Sequence, residues 1–204
     1  MRTIKEKIFV FFLFSGTFAG FAQNGQLKMR WIYGNFDVLK NEMAVKLSFN
    51  FDSMRVGKYA TEQEYIAEMK RKFDKSDSGR GAEWEKEWFE SRAGTYIPRF
   101  GELFFKHARL DPDPELARYT LIFKTTRIEP GWHAGVMNLP SYIDGETWLV
   151  KNGEPETVIA KLSIVNVPGE KTHNDYTARQ RIGESYALAG KKIAKYIASL
   201  KKVD

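Results

Sequence analysis

An Asn-Gly pair at Asn152-Gly153, flanked by two long strand-like runs, constrains the fold of this chain more than any other feature. Asn-Gly is a favoured two-residue hairpin turn, because both residues accept the positive φ that matches strand twist. Trp148, Leu149 and Val150 lead into the turn, and Val158, Ala160, Leu162 and Ile164 return on one face at a period of two. Pro168-Gly169 closes the returning strand. A sheet with antiparallel pairing follows.

Other segments supply more strands. Val45, Leu47, Phe49 and Phe51 alternate with polar residues, the pattern of a half-buried strand. Residues from Met29 read as a strand through Trp31 and Tyr33 and on to Phe36 and Val38, with a bend at Gly34-Asn35. Tyr119 to Ile128 is rich in β-branched and aromatic side chains and ends at Pro130-Gly131. Residues 132–140 read as an irregular, glycine-bearing loop.

Helices are marked by caps and spacing. Thr61 and Glu64 form a capping-box pattern before a stripe of Ile66, Met69 and Phe73. A polar loop is expected over 76–81. Trp84 and Trp88, four apart, share a helical face, and Pro98 restarts a helix carrying Phe100, Leu103, Phe104 and His107. In the last helix Ile182, Tyr186, Ala189, Ile193, Ile197 and Leu200 form one stripe, with Asn174 or Asp175 as its cap. Beside that stripe runs a ridge of small residues, Gly183, Ala187, Gly190 and Ala194. Each glycine costs a helix about 0.8–1 kcal/mol relative to alanine, so the ridge implies close approach to another backbone, expected to be the sheet. The order of elements predicts an α+β, two-layer sandwich: an antiparallel or mixed sheet of about 4–5 strands, with about 3 helices on one face.

Composition narrows the function. Residues 1–22 read as a secretory signal: Arg2, Lys5 and Lys7, the apolar run Ile8–Phe14, then Gly20-Phe21-Ala22 before a cleavage point at Gln23. Residues 23–204 then form a single exported domain, periplasmic or extracellular. The apolar run is shorter than the roughly 20 residues a membrane span needs. The chain contains no cysteine, which excludes a thiol nucleophile, Cys-ligated zinc, an iron–sulfur cluster and disulfides. It also leaves no residue for the acylation of a bacterial lipoprotein.

Motifs for chemistry are sparse. The P-loop, the G-x-S-x-G elbow, H-E-x-x-H and the dinucleotide fingerprint do not occur. Asp111, Asp113 and Glu115 alternate like calcium ligands, but the intervening prolines favour a polar turn. His107 reads as a partly buried helix-end residue and His173 as part of a capping segment. His133 lies in Gly131-Trp132-His133-Ala134-Gly135, where Trp132 and His133 could line a pocket, although a loop anchored by tryptophan is the simpler reading. Asp144 and Glu146 would face one side of an extended segment, a geometry suited to acid–base work. Asp144-Gly145 is equally a turn dipeptide, and a solvated turn accounts for it more simply. No ligand spacing indicates a metal or another cofactor.

The chain has 32 Lys+Arg and 26 Asp+Glu. Residues 176–204 hold seven basic side chains and two acids, so Lys191, Lys192 and Lys195 offer a weak contact to anionic surfaces. A nucleic-acid partner would need a basic stripe interleaved with exposed aromatics. The aromatics read as core, and export removes DNA as a partner.

Tyr119–Trp132, Ala160–Gly169 and Arg181–Ile197 resemble a family of exported α+β proteins of Bacteroidetes-type bacteria, to which no activity attaches. More remotely, the order of elements is similar to small α/β domains of cell-envelope lipoproteins of the curli-secretion type. The resemblance implies an envelope setting and carries no catalytic residues. The leading functional expectation is a non-enzymatic envelope module that binds a protein or an envelope polymer. The alternatives are a binder of a small apolar or anionic ligand, using Trp132 and the Trp84/Trp88 helix, and a hydrolase using His133 with an acid such as Asp144.

Overall fold

The computed structural model describes residues 25–134, 137–169 and 177–201, with only the backbone described at 133, 134, 137 and 138. The expected signal at 1–22, the side chain of His133, and the segment holding His173, Asn174 and Asp175 lie outside the described residues.

The fold is α+β. Its strands are β1 (Lys28–Tyr33), β2 (Lys46–Asn50), β3 (Arg55–Val56), β4 (Tyr119–Glu129), β5 (Trp132–Ala134), β6 (Met137–Leu139), β7 (Tyr142–Lys151) and β8 (Glu154–Pro168). Its helices are α1 (Glu62–Ser76), α2 (Arg80–Ser91), α3 (Ile97–Ala108) and α4 (Ala178–Leu200). Six strands form a mixed sheet in the order β1-β8-β7-β4-β2, with β3 pairing β4 farther along the edge that β2 occupies. The β1–β8, β8–β7 and β7–β4 pairs are antiparallel, whereas β2 and β3 run parallel to β4. A parallel pair needs a crossover, and α1, α2 and α3 supply it.

Pro98 lies in the first turn of α3 but does not begin a separate rod: a π-turn, Arg92–Tyr96, joins α2 to α3. Proline has no amide hydrogen to donate to the preceding turn, so the wider turn falls where the regular ladder is broken. Three helical rods therefore pack on one face of the sheet. The expected loop over 76–81 shrinks to three residues, and Gly81 lies inside α2, where a Cβ would meet Asp74 and the Lys70 carbonyl.

Inward-facing side chains form the core. Leu121, Phe123 and Ile128 of β4, Ile143 and Leu149 of β7, and Ala160, Leu162, Ile164 and Val167 of β8 are buried under Phe100, Phe104, Ile182, Tyr186, Ile193 and Ile197. The Phe100 ring lies 5.0 Å from Phe123 and 5.2 Å from Phe49. Tyr186 and Tyr96 stack in parallel at 5.0 Å.

Several expectations are corrected by the structure. β1 ends at Tyr33, and Phe36 and Leu39 are buried around a 3-10 turn at Asp37–Asn41 instead of extending the strand to Val38. The partner of the α4 glycine ridge is another helix, not the sheet: a Cβ on Gly190 would lie 2.4 Å from the Phe100 carbonyl, and one on Gly183 would meet Thr95. α4 is capped by Thr177, with Gln180 completing a capping box. Glu64 completes its cap one residue early, accepting from the Ala60 amide at 3.0 Å while Thr61 accepts from Glu64. In place of the irregular loop expected over 132–140, Trp132–Ala134 and Met137–Leu139 pair as a short antiparallel ribbon. No described helix is long and apolar enough to cross a membrane.

Candidate functional site: the open face of the sheet

With the helices on one face, the alternate side chains of each strand point to the other. The register assembles them into rows. One row runs Ser48, Ile122, Trp148, Lys161, Tyr33, and the next runs Asn50, Lys124, Glu146, Ser163, Arg30. A third holds Arg55, Arg127 and Asp144, and Lys28 faces Val165 at the same level of β8. These rows carry six cations and two carboxylates. Among the described residues, Lys28, Arg30, Arg55, Lys124 and Lys161 have no carboxylate within ion-pair distance.

Trp148 lies half-buried at the centre of this face. Its indole Nε1 donates to Glu146 Oε2 at 2.8 Å, and the ammonium groups of Lys161 and Lys124 sit 4.2 and 5.3 Å from its ring. The negative π face attracts both cations. The result is an indole held within the face with two ammonium groups over its ring.

The third row is shaped by bulges. The β4–β7 register shifts between Thr125 and Arg127, and Val165 and Asn166 together oppose Asp144. Asn166 takes a left-handed backbone, φ 54°. Bulges re-aim side chains, and here they converge. Arg127 Nε donates to Asp144 Oδ2 at 2.6 Å and its Nη2 to Asp144 Oδ1 at 3.2 Å. Nη2 also donates to Asn166 Oδ1 at 3.1 Å, and the Asn166 amide donates to Asp144 Oδ1 at 2.7 Å. The hydrogen bond to Asp144 raises the Arg127 pKa further, against the opposing effect of burial. A polar recess of about 290 Å³ opens beside this cluster, between Arg55, Gly57 and Val165.

Of the residues singled out from sequence, Asp144 lies on the six-stranded sheet and Trp132 and the His133 backbone on the two-stranded one. Asp144 and Glu146 do share a side of β7, but the turn reading of Asp144-Gly145 is wrong: both lie mid-strand. Glycine is required there because a Cβ would lie 2.5 Å from Phe123 Cζ. Asp144 is engaged by Arg127 and Asn166. Trp132 belongs to the separate β5–β6 ribbon, paired with Leu139, and both side chains are exposed, at 41% and 49%. His133 pairs through its backbone with Asn138 on the same ribbon.

Two further sites flank the helices. A groove of about 900 Å³ runs between α2, the π-turn and the start of α4, lined by Phe73, Trp84, Tyr96, Thr177 and Arg179 among others. Trp84 is stacked between Phe73 and Trp88, 5.7 Å from each. Below it the buried Glu62 accepts from Trp88 Nε1 at 2.5 Å and from Arg92 at 2.5 and 2.6 Å, pinning α1 to the π-turn. The Tyr96 hydroxyl is buried beside the Ser91 side chain, and among the described residues no partner meets it in full hydrogen-bond geometry. At the far end of α3, His107 lies near Lys195 and Lys191. Desolvation, and then the charges of Lys195, Lys191 and Lys106, lower its pKa below the ordinary histidine value. Lys201 serves the fold, donating to the carbonyls of Glu42 and Arg109 at 2.6 and 3.0 Å.

The sheet face was not legible as a unit in the sequence. Trp148 reads as strand, and the cations around it come from β1, β3, β4 and β8; only the register brings them together.

The class defined by these features is a two-layer α+β domain with a mixed sheet, helices on one face and a basic, aromatic-centred opposite face. No family model matches the chain, and no curated protein matches it. Among solved structures it is similar to the PelC dodecamer from Paraburkholderia phytofirmans, with 13% identity, 80% of this chain and 97% of that chain covered, and a TM-score of 0.29. A point variant of the same PelC gives 11% identity, 80% and 96% coverage, and a TM-score of 0.33. Superposition at that level carries no argument about this chain.

Proposed function

We propose that the chain is an exported, non-enzymatic binding module of the cell envelope, working in the periplasm or outside the cell, and that the open face of its sheet is the recognition surface for a protein or an envelope polymer. One observation carries the reading: the register of the sheet collects onto one face Trp148 and five cations that, among the described residues, have no ion-pair partner. Charged side chains on an antiparallel sheet need only water, but an aromatic ring at their centre adds a surface for stacking. The secretory pattern of residues 1–22 and the family resemblance support the envelope setting. The test is co-sedimentation of the purified protein with isolated envelope fractions. Trp148→Ala and Lys161→Glu are expected to abolish retention, and Lys192→Glu on α4 to leave it intact. Retention indifferent to the sheet variants would contradict the reading.

A second reading, a binder of a small apolar or anionic ligand, is supported by the groove beside the π-turn. The Tyr96 hydroxyl and the Arg179 guanidinium would serve an anionic group, and the Phe73 and Trp84 rings an apolar one. Its test is thermal unfolding against small carboxylates and hydrophobic ligands. A ligand at about 100 times its Kd would stabilise by about 2.7 kcal/mol, and Tyr96→Phe is expected to remove part of that shift. A flat panel would dismiss it.

A further inference from the structure

We infer that the open face binds an acidic polysaccharide, an inference that rests on the recognition surface proposed above. Charge complementarity fixes the sign of the ligand: six cations and two carboxylates lie in three adjacent rows, and one carboxylate, Asp144, is already neutralised by Arg127. The rows lie on strands about 4.8 Å apart, so the positive charge forms a field spread across the sheet instead of one deep pocket. A repeating polyanion fits a field of that shape.

The uncharged groups select among polyanions. Trp148 is half-buried within the face, and the C–H side of a pyranose ring can stack on an indole. Ser163 sits beside Arg30 and Ser48 at the β2 end of its row, where both can exchange hydrogen bonds with sugar hydroxyls, while Asn50 is engaged by Asp52. Nucleic acid would call for several rings on which successive bases stack, and the aromatic side chains of these three rows are Trp148 and, at the β1 edge, Tyr33. A bilayer would need a continuous apolar wedge, whereas the apolar side chains of the central rows, the half-buried Ile122 and Trp148 and the exposed Tyr33 at the β1 edge, are interrupted by Lys161 and flanked by the cations of the next row. In the bound state Lys161 leaves the ring for a carboxylate, and the sugar takes its place.

The test is direct binding of the purified protein to polygalacturonate, with dextran, single-stranded DNA and phosphatidylglycerol vesicles as comparators. Two triple variants remove the same charge from different faces: Arg55→Gln/Lys124→Gln/Lys161→Gln on the sheet and Lys191→Gln/Lys192→Gln/Lys195→Gln on α4. The sheet triple is expected to weaken polygalacturonate binding by about tenfold, from three screened contacts of a few tenths of a kcal/mol or more each. The helix triple is expected to leave it nearly unchanged, dextran to bind at least about tenfold more weakly, and added salt to lower affinity. Trp148→Phe should keep most of the binding and Trp148→Ala should lose it. Absence of polygalacturonate binding, or tighter binding to DNA or vesicles, would overturn the inference. Equal binding of dextran, still lost in Trp148→Ala, would overturn the acidic class while leaving the recognition surface standing. Loss in the helix triple would overturn both.

Discussion

Asp144 and Arg127 face each other across β7 and β4 in a two-pronged ion pair, Nε to Oδ2 at 2.6 Å and Nη2 to Oδ1 at 3.2 Å, with both side chains about five-sixths buried. The Asn166 amide adds a third hydrogen bond to the same carboxylate. A carboxylate so engaged holds the bulged corner of the sheet and sets the shape of the recess beside Arg55. Asp144→Asn should therefore destabilise the fold by about 1–3 kcal/mol, because it leaves the Arg127 charge partly desolvated and uncompensated. Urea unfolding checks this, and an unchanged midpoint would remove the structural role assigned to the pair.

The helix–helix contact along the glycine ridge gives a paired prediction. Gly190→Ala adds a Cβ 2.4 Å from the Phe100 carbonyl, a backbone atom that cannot swing aside. Overpacking of about 1–3 kcal/mol outweighs the gain of up to about 1 kcal/mol in helix propensity, so the variant should be less stable. Gly101→Ala in α3 should be more stable by about 0.5–1 kcal/mol, since its Cβ would find only Leu47 Cδ1, at 4.0 Å. Thermal unfolding of the two variants should show shifts of opposite sign.

Tyr186 anchors α4 to the sheet through its hydroxyl, 2.6 Å from Thr125 Oγ1, with both residues fully buried. Tyr186→Phe strands the threonine hydroxyl and should cost about 1–3 kcal/mol. Adding Thr125→Val to it should recover much of the loss. A double-mutant cycle measures the coupling.

Alkaline pH should weaken the fold. Burial raises the pKa values of Tyr65, Tyr96 and Tyr186 above the ordinary tyrosine value of 10.0. Above that pH the unfolded chain ionises these phenols while the folded chain keeps them protonated, so unfolding releases protons. Stability from this source is complete below pH 10 and falls as pH rises past it, by up to about 1.4 kcal/mol per unit for each group. The lowered pKa of Lys201 acts in the opposite sense, through one partly exposed group. Urea midpoints at pH 9 and 10.5 check the balance, with the lower midpoint expected at 10.5.

Much of the framework was readable because it is local. The Asn152-Gly153 turn, the Val45–Phe51 alternation and the Ile182–Ile197 stripe each carry their pattern within one segment, and each is present in the structure, with Gly153 and not Asn152 taking the positive φ of the turn. The errors share a physical origin: they turn on partners distant in sequence. Asp144-Gly145 looks like a turn until Phe123 is seen to occupy the space of the missing side chain. The glycine ridge of α4 announces a close neighbour without saying that it is Phe100. The parallel β2–β4 pair cannot be told from an antiparallel one by alternation. The open face depends on register across five strand positions, and a one-residue slip of any strand would send that strand's contribution to the core.

If the open face is the recognition surface, the sheet layer and not the helical layer meets the envelope component. A photoreactive benzophenone amino acid at Ser48, on the sheet face, and at the exposed Glu102 of α3, on the helical side, can be cross-linked in intact cells. The account predicts an adduct with an envelope component from position 48 that disappears in the Trp148→Ala background, and none from position 102. An adduct from position 102 with none from 48 would contradict it.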